Sequence, residues 1–149
     1  MRVLRIKLIS FGEYQDRVVA DLTGPLNLVL GPNESGKSTL LGALRFAWYG
    51  KASPDYKSDR YDRQVELLLE KDQQRWRLTR ADGKGRKSFE LRPEQGGEAV
   101  KEEAFLRDWM GEVPCAVYRG VYALNLDDLQ DLGRGKDAKE IRALFLEAE

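Results

Sequence analysis

Apolar and charged side chains alternate from the start of the chain. Leu4, Ile6 and Leu8 are separated by Arg5 and Lys7, which predicts a strand over residues 2–9. A turn through Phe11-Gly12-Glu13-Tyr14 leads to a second strand around Arg17–Leu22, which Thr23-Gly24-Pro25 breaks. Leu26-Asn27-Leu28-Val29-Leu30 is nearly all apolar, as expected of a central strand buried on both faces of a parallel sheet. Leu40, Leu41, Leu44, Ala47 and Trp48 then recur at helical spacing, with Gly50 placed to close that helix at its C-cap. Residues 51–62, with Pro54, three aspartates and two tyrosines, read as a polar connection.

Three more strand-like runs follow, Gln64–Glu70, Arg75–Arg80 and Lys87–Leu91. Asp72-Gln73-Gln74 and Asp82-Gly83-Lys84-Gly85 are turn chemistry between them, so these runs form an antiparallel meander. Lys101–Met110 reads as a helix with Phe105, Leu106 and Trp109 on one side, and Pro114 opens a short helical turn. Val121–Leu124 is apolar and strand-like. Ala138, Ile141, Leu144, Phe145 and Ala148 give a last amphipathic helix still in rhythm at the final residue, which suggests a longer parent or a coiled coil. No internal repeat or low-complexity segment interrupts the pattern.

Length and composition narrow the classes. A chain of 149 residues has room for one domain with one sizeable core. Net charge is zero, but residues 51–92 carry a surplus of four positive charges and residues 93–149 an excess of six negative ones. Any polyanion-binding face is therefore expected in the middle of the chain. The single cysteine, Cys115, excludes an internal disulfide. The absence of histidine excludes a Cys/His zinc site and a histidine general base. No apolar run approaches the length of a membrane span, and the charged N-terminus is unlike a secretion signal, so a cytoplasmic location is expected.

One octapeptide carries specific chemistry. Gly31-Pro32-Asn33-Glu34-Ser35-Gly36-Lys37-Ser38 fits the phosphate-binding pattern G-x-x-x-x-G-K-[ST]. At average residue usage such a match arises by chance in roughly half a per cent of chains this long, and here it also falls between a strand pattern and a helix pattern. Gly31 and Gly36 allow a tight turn, so that successive N–H groups from about Asn33 to Ser38 face one anion-sized hollow. The helix that starts there adds its N-terminal partial positive charge. Lys37 is expected to reach the β- and γ-phosphates and act catalytically, Ser38 to ligate Mg²⁺, and Thr39 to support the α-phosphate. The bland reading is an ordinary strand-turn-helix with a solvent-facing lysine, which must explain both glycines and the Lys-Ser pair by accident.

Taken together, Leu4–Gly12, Gly31–Thr39 and Leu40–Gly50 resemble the N-terminal half of the ATPase head of the SMC/SbcC/RecF/RecN superfamily, most closely the YhaN-type bacterial AAA domain. Tyr118–Gln130 is similar to the segment that precedes the coiled coil in YhaN-like proteins. The resemblance is strong at both ends and weak across 51–100. It implies an α/β fold, the N-terminal lobe of an ABC-type P-loop NTPase head, with a mixed sheet and an antiparallel meander. Residues 1–50 would supply the strands, phosphate loop and first helix, 64–92 the meander, and 101–149 a helical part leading toward a coiled coil. The implied cofactors are ATP and Mg²⁺. The implied partners are a C-terminal half with its signature loop and Walker B acids, a second head in a homodimer, DNA, and a nuclease, with no membrane.

The chain also departs from that pattern. Val65–Asp72 has hydrophobic residues followed by acids, but its alternation and the turn directly after it fit a meander strand, so it is not a Walker B element. The Q-loop glutamine, a Mg²⁺ ligand in the wider superfamily, corresponds to Asn125, with Gln130 as the other choice; Asn125 also reads as an Asx cap before Asp127-Asp128. Arg60 and Arg63 fall where the SMC group places a phosphate-contacting arginine, and equally read as solvated loop residues.

Within residues 75–92, Arg75, Arg77, Arg80, Lys84, Arg86, Lys87 and Arg92 face only Asp82 and Glu90 in number. Such a surface suits sequence-independent contact with DNA phosphates, or else a solvated sheet face protecting an edge. Two functions remain in view: the ATP-binding lobe of a DNA-repair or chromosome-associated ATPase, and a non-catalytic half-head that binds nucleotide weakly. A complete kinase or GTPase fits less well, for want of a Walker B pair and an N/T-K-x-D motif.

Overall fold

The computed structural model describes residues 1–22, 24–51, 63–83 and 86–123. It divides into two compact units, Met1–Trp109 and Met110–Glu149. The first unit is built on a five-stranded sheet: β1 (Arg2–Phe11), β2 (Tyr14–Asp21), β3 (Arg63–Lys71), β4 (Gln74–Gly83) and β5 (Arg86–Pro93), in the order β2-β1-β3-β4-β5. Every pairing is antiparallel. The β3–β4 connection is a two-residue turn in which Asp72 and Gln73 both take positive φ, 51° and 64°, the backbone that matches the twist of a tight hairpin. The meander and the rejection of a Walker B element at 65–72 agree with this register.

Period-two alternation decides the faces. Ile6, Leu67, Leu78 and Leu91 lie side by side across β1, β3, β4 and β5, and all are buried. The helix α1 (Lys37–Tyr49) covers this face, packing Ala43, Phe46 and Ala47 against β1, β3 and β4. Phe46 meets Phe11 at 5.6 Å between ring centres. Gly50 closes α1 with φ 66° and donates its N–H to the Phe46 carbonyl, the left-handed cap that glycine adopts without strain. A second, short helix α2 (Glu103–Trp109) buries Leu106 and clusters Phe105 and Trp109 with Trp76.

Three expectations are corrected by the structure. Residues 26–30 form no strand and pair with none of the five; Leu26, Leu28 and Leu30 are 88%, 80% and 81% exposed. A doubly buried parallel strand requires neighbours on both sides, and the antiparallel sheet offers this segment none. The described sheet is accordingly antiparallel and not mixed. In the second unit, α3 (Cys115–Val117) follows Pro114 as expected, but Val121 and Tyr122, read as the start of a strand over 121–124, belong to a π-helical turn, Tyr118–Tyr122, and Leu124 lies outside the described residues. The Ala123 N–H closes it on the Tyr118 carbonyl, and Tyr118 and Tyr122 stack at 6.3 Å. The amphipathic pattern at 138–148 lies outside the described residues, as do Arg60, Lys84, Asn125 and Gln130.

Candidate functional site

The phosphate-loop pattern runs directly into α1. Gly36 is the N-cap residue, with φ 86°, and the Leu40 N–H makes the first helical bond to its carbonyl at 3.0 Å. Gly36 has no room for a side chain, since a Cβ there would run into the Tyr14 ring and hydroxyl, while a Cβ on Gly31 would displace the Ser35 hydroxyl. Glu34 also takes a left-handed φ of 63°. The Ser35 N–H donates to the Pro32 carbonyl at 3.3 Å, which draws the turn together. Residues 31–35 and 37–38 are exposed, so the loop lies open to a ligand from solution.

Lys37 lies back over its own loop. Its ammonium donates to the Gly31 carbonyl at 2.9 Å, the Pro32 carbonyl at 2.6 Å and the Ser35 hydroxyl at 3.3 Å. These oxygens hold one positive charge over the turn, where an incoming anion has only to displace them. Ser38 and Thr39 stand in the first turn of α1. Among the described residues no group of three or more Asp, Glu, Cys or His gathers to hold a metal.

Tyr14 reaches the loop from β2, and sequence reasoning gave it no role. Its hydroxyl donates to the Ser35 carbonyl at 2.8 Å. The β1–β2 hairpin that carries it is clamped by Arg5–Asp21 at 2.6 Å and Lys7–Asp16 at 2.7 Å. The hydrogen bond to Asp16, and then its charge, raise the Lys7 pKa above its ordinary value. A raised lysine pKa keeps that stabilisation in place at neutral pH and loses it only as pH climbs through the raised value.

The basic residues of 75–92 do not share one surface. Register places Arg75, Arg77, Arg86 and Arg92 on the solvent face and Arg80 and Lys87 on the helix face. Arg77 pairs with Glu94 at 3.0 Å and Arg92 with Glu90 at 2.9 Å, while Arg75 and Arg86 are exposed. Arg80 is buried in the apolar row Leu8–Val65–Arg80–Phe89. Its guanidinium donates to the Ala47 carbonyl at 2.9 Å, at the C-terminal end of α1, and to Glu103 at 2.7 Å. The parity it shares with Trp76 and Leu78 is the signal that places it in the core. Arg63 lies on β3 and not in a loop, paired with Asp82 at 2.5 Å and set over the Phe46 ring at 5.4 Å.

A cavity of about 440 Å³ lies near the far end of α1, lined by Tyr49, Lys51, Arg80, Lys87, Phe89 and Lys101 among others. Thirteen helical residues separate it from the glycine-rich loop, a span of about 20 Å, so the two are distinct places. No helix among the described residues is long and apolar enough to cross a membrane.

No curated protein matches the chain. A family model described as AAA domain matches residues 1–140. That match covers the sheet, the glycine-rich loop and α1, and the chain belongs to the AAA-domain family, which makes it a nucleotide-binding ATPase domain.

Proposed function

We propose that this chain is the ATP-binding lobe of an SMC/SbcC-like ATPase of DNA repair or chromosome-associated processes, with residues 31–39 as its nucleotide site. The observation that carries the reading is the cradle before α1: a left-handed Gly36 with no room for a Cβ, followed by a lysine whose ammonium is held by loop oxygens. The residues fit a bound Mg-nucleotide. The loop from Gly31 to Ser38 would enclose the phosphates, Lys37 would exchange the Gly31 and Pro32 carbonyls for phosphate oxygens, and the Ser38 hydroxyl would meet the Mg²⁺. Bound Mg-ATP supplies the transferable phosphoryl group. The chain's own part is to orient it and to offset its charge.

Hydrolysis in this reading needs the signature loop and acids of a C-terminal half, brought together in a head-to-head dimer. Asn125 is the proposed second Mg²⁺ ligand. A non-catalytic half-head is the second reading, and the exposed Leu26, Leu28 and Leu30 favour it, because they offer a surface for protein association. DNA contact through the sheet's solvent face rests on Arg75 and Arg86, and a nuclease partner and cytoplasmic location remain part of the proposal.

Titration with a fluorescent ATP analogue in Mg²⁺, beside Lys37→Ala, tests the site. Removing a charge-assisted contact should weaken binding about tenfold or more. No binding by either protein would favour the half-head that needs its partner first. The chain alone is expected to turn ATP over negligibly; turnover abolished by Lys37→Ala with no other protein present would refute that.

A further inference from the structure

Ser35 is tied at three atoms. Its N–H donates to the Pro32 carbonyl at 3.3 Å, its hydroxyl receives the Lys37 ammonium at 3.3 Å, and its carbonyl receives the Tyr14 hydroxyl at 2.8 Å. The first two ties lie within the loop itself. The third comes from another element, across 21 residues of chain. We propose that Tyr14 is a positioning residue of the phosphate loop, fixing from the β1–β2 hairpin the peptide that joins Ser35 to Gly36. The inference rests on the phosphate-binding reading above.

A trans peptide plane holds its carbonyl and the following N–H on opposite sides. Anchoring the Ser35 oxygen to Tyr14 therefore aims the Gly36 N–H away from the tyrosine and stops the peptide from flipping. This peptide needs such an anchor, because Gly36 has no Cβ to restrict it and glycine moves among backbone wells more freely than any other residue. The Tyr14 ring fills the space a Gly36 side chain would take, so the glycine is held by contact instead of by its own sterics. Tyr14 is itself well founded. It follows the Gly12-Glu13 turn, opposite Phe11 in register, and the Arg17 guanidinium lies over its ring at 5.6 Å. The hairpin thus lends rigidity to a loop that is otherwise exposed, and the ligand acted on is the phosphate chain, whatever base it carries.

Tyr14→Phe keeps the ring and removes only the anchor. Two readouts decide the matter: amide hydrogen exchange over residues 33–38 without ligand, and affinity for Mg-ATP and for inorganic tripolyphosphate. The expected result is faster exchange across 33–38, together with a roughly two- to tenfold loss of affinity that is equal for the two ligands, the scale of one hydrogen bond. Tyr14→Ala should lose more, and an unchanged thermal midpoint for Tyr14→Phe separates the effect from unfolding. Unchanged exchange overturns the proposal, as does faster exchange with unaltered affinity. A loss confined to ATP overturns it too, because the ring would then serve the base. If the unaltered chain binds neither ligand, the loop is no phosphate site in this chain alone, which favours the half-head that needs its partner first, and the inference falls with that site; if it binds both and Tyr14→Phe binds equally well, the inference alone fails.

Discussion

Arg80 is a cation where the pattern of its strand calls for an apolar residue, and its surroundings explain why it is stable there. The carbonyls of the last turn of α1 have no partners within the helix, and the guanidinium supplies a donor to Ala47 at 2.9 Å while Glu103 offsets its charge at 2.7 Å. Its flat face lies 4.9 Å from the centre of the Phe89 ring. Gly50 makes room, since a Cβ there would come within 2.7 Å of the guanidinium. Arg80→Ala should cost about 2–3 kcal/mol in denaturant unfolding, from stranded carbonyls and a cavity. Arg80→Lys should recover only part of that, because one ammonium cannot reproduce the fork. A loss within experimental error for Arg80→Ala would mean that the arginine is not holding the helix end. Arg80 shares the parity of Trp76 and Leu78, the one signal in the sequence for its place on the core face. Its positive charge drew it into a basic surface in the sequence reading, because composition counts charges without regard to the side of the sheet from which they project.

At the scale of elements, the strands and α1 were legible because each carries its own periodicity and punctuation. Gly50 ended the helix, Gly12-Glu13 and Asp72-Gln73 turned the hairpins, and every meander strand fell within a few residues of its pattern. Residues 26–30 failed for the opposite reason: their pattern states what they would bury against, and no described strand supplies it. The Tyr14 anchor had no local signal at all, since a tyrosine beside a turn is ordinary and its partner lies 21 residues away. The sheet also limits the DNA reading. Glu94 and Glu90 pair with Arg77 and Arg92, while Arg75 and Arg86 stand exposed on the same face. If that face contacts duplex DNA, Arg75→Ala should flatten the plot of log affinity against log salt by about 0.9, the contribution of one phosphate contact, while Arg92→Ala should change it less. Equal effects of the two substitutions in fluorescence anisotropy would mean that the ion pairs do not partition the face as described.

For the molecule as a whole, the apolar side chains uncovered before the phosphate loop have the largest consequences. Leu26, Leu28 and Leu30 recur at strand spacing, each at least 80% exposed, beside the site proposed to hold nucleotide. Single exposed leucines are common on protein surfaces, but several in one short run mark association surfaces. The apolar pattern reads this segment as a central strand of a parallel sheet; if the proposed C-terminal half supplies the neighbours it lacks here, its exposure is what the lobe would present by itself. Two outcomes follow from the same side chains. The chain should self-associate with rising concentration in analytical ultracentrifugation, and Leu26→Ser/Leu28→Ser/Leu30→Ser should suppress this. The triple substitution should leave the thermal midpoint nearly unchanged, because side chains already in water add little stability on folding. Mixed with the C-terminal half proposed to complete the head, the unaltered chain should be captured and its ATP binding strengthened, while the triple variant should do neither. A large fall in the midpoint would show instead that the three leucines are buried within the folded chain, and would remove the association surface together with the argument for a shared sheet.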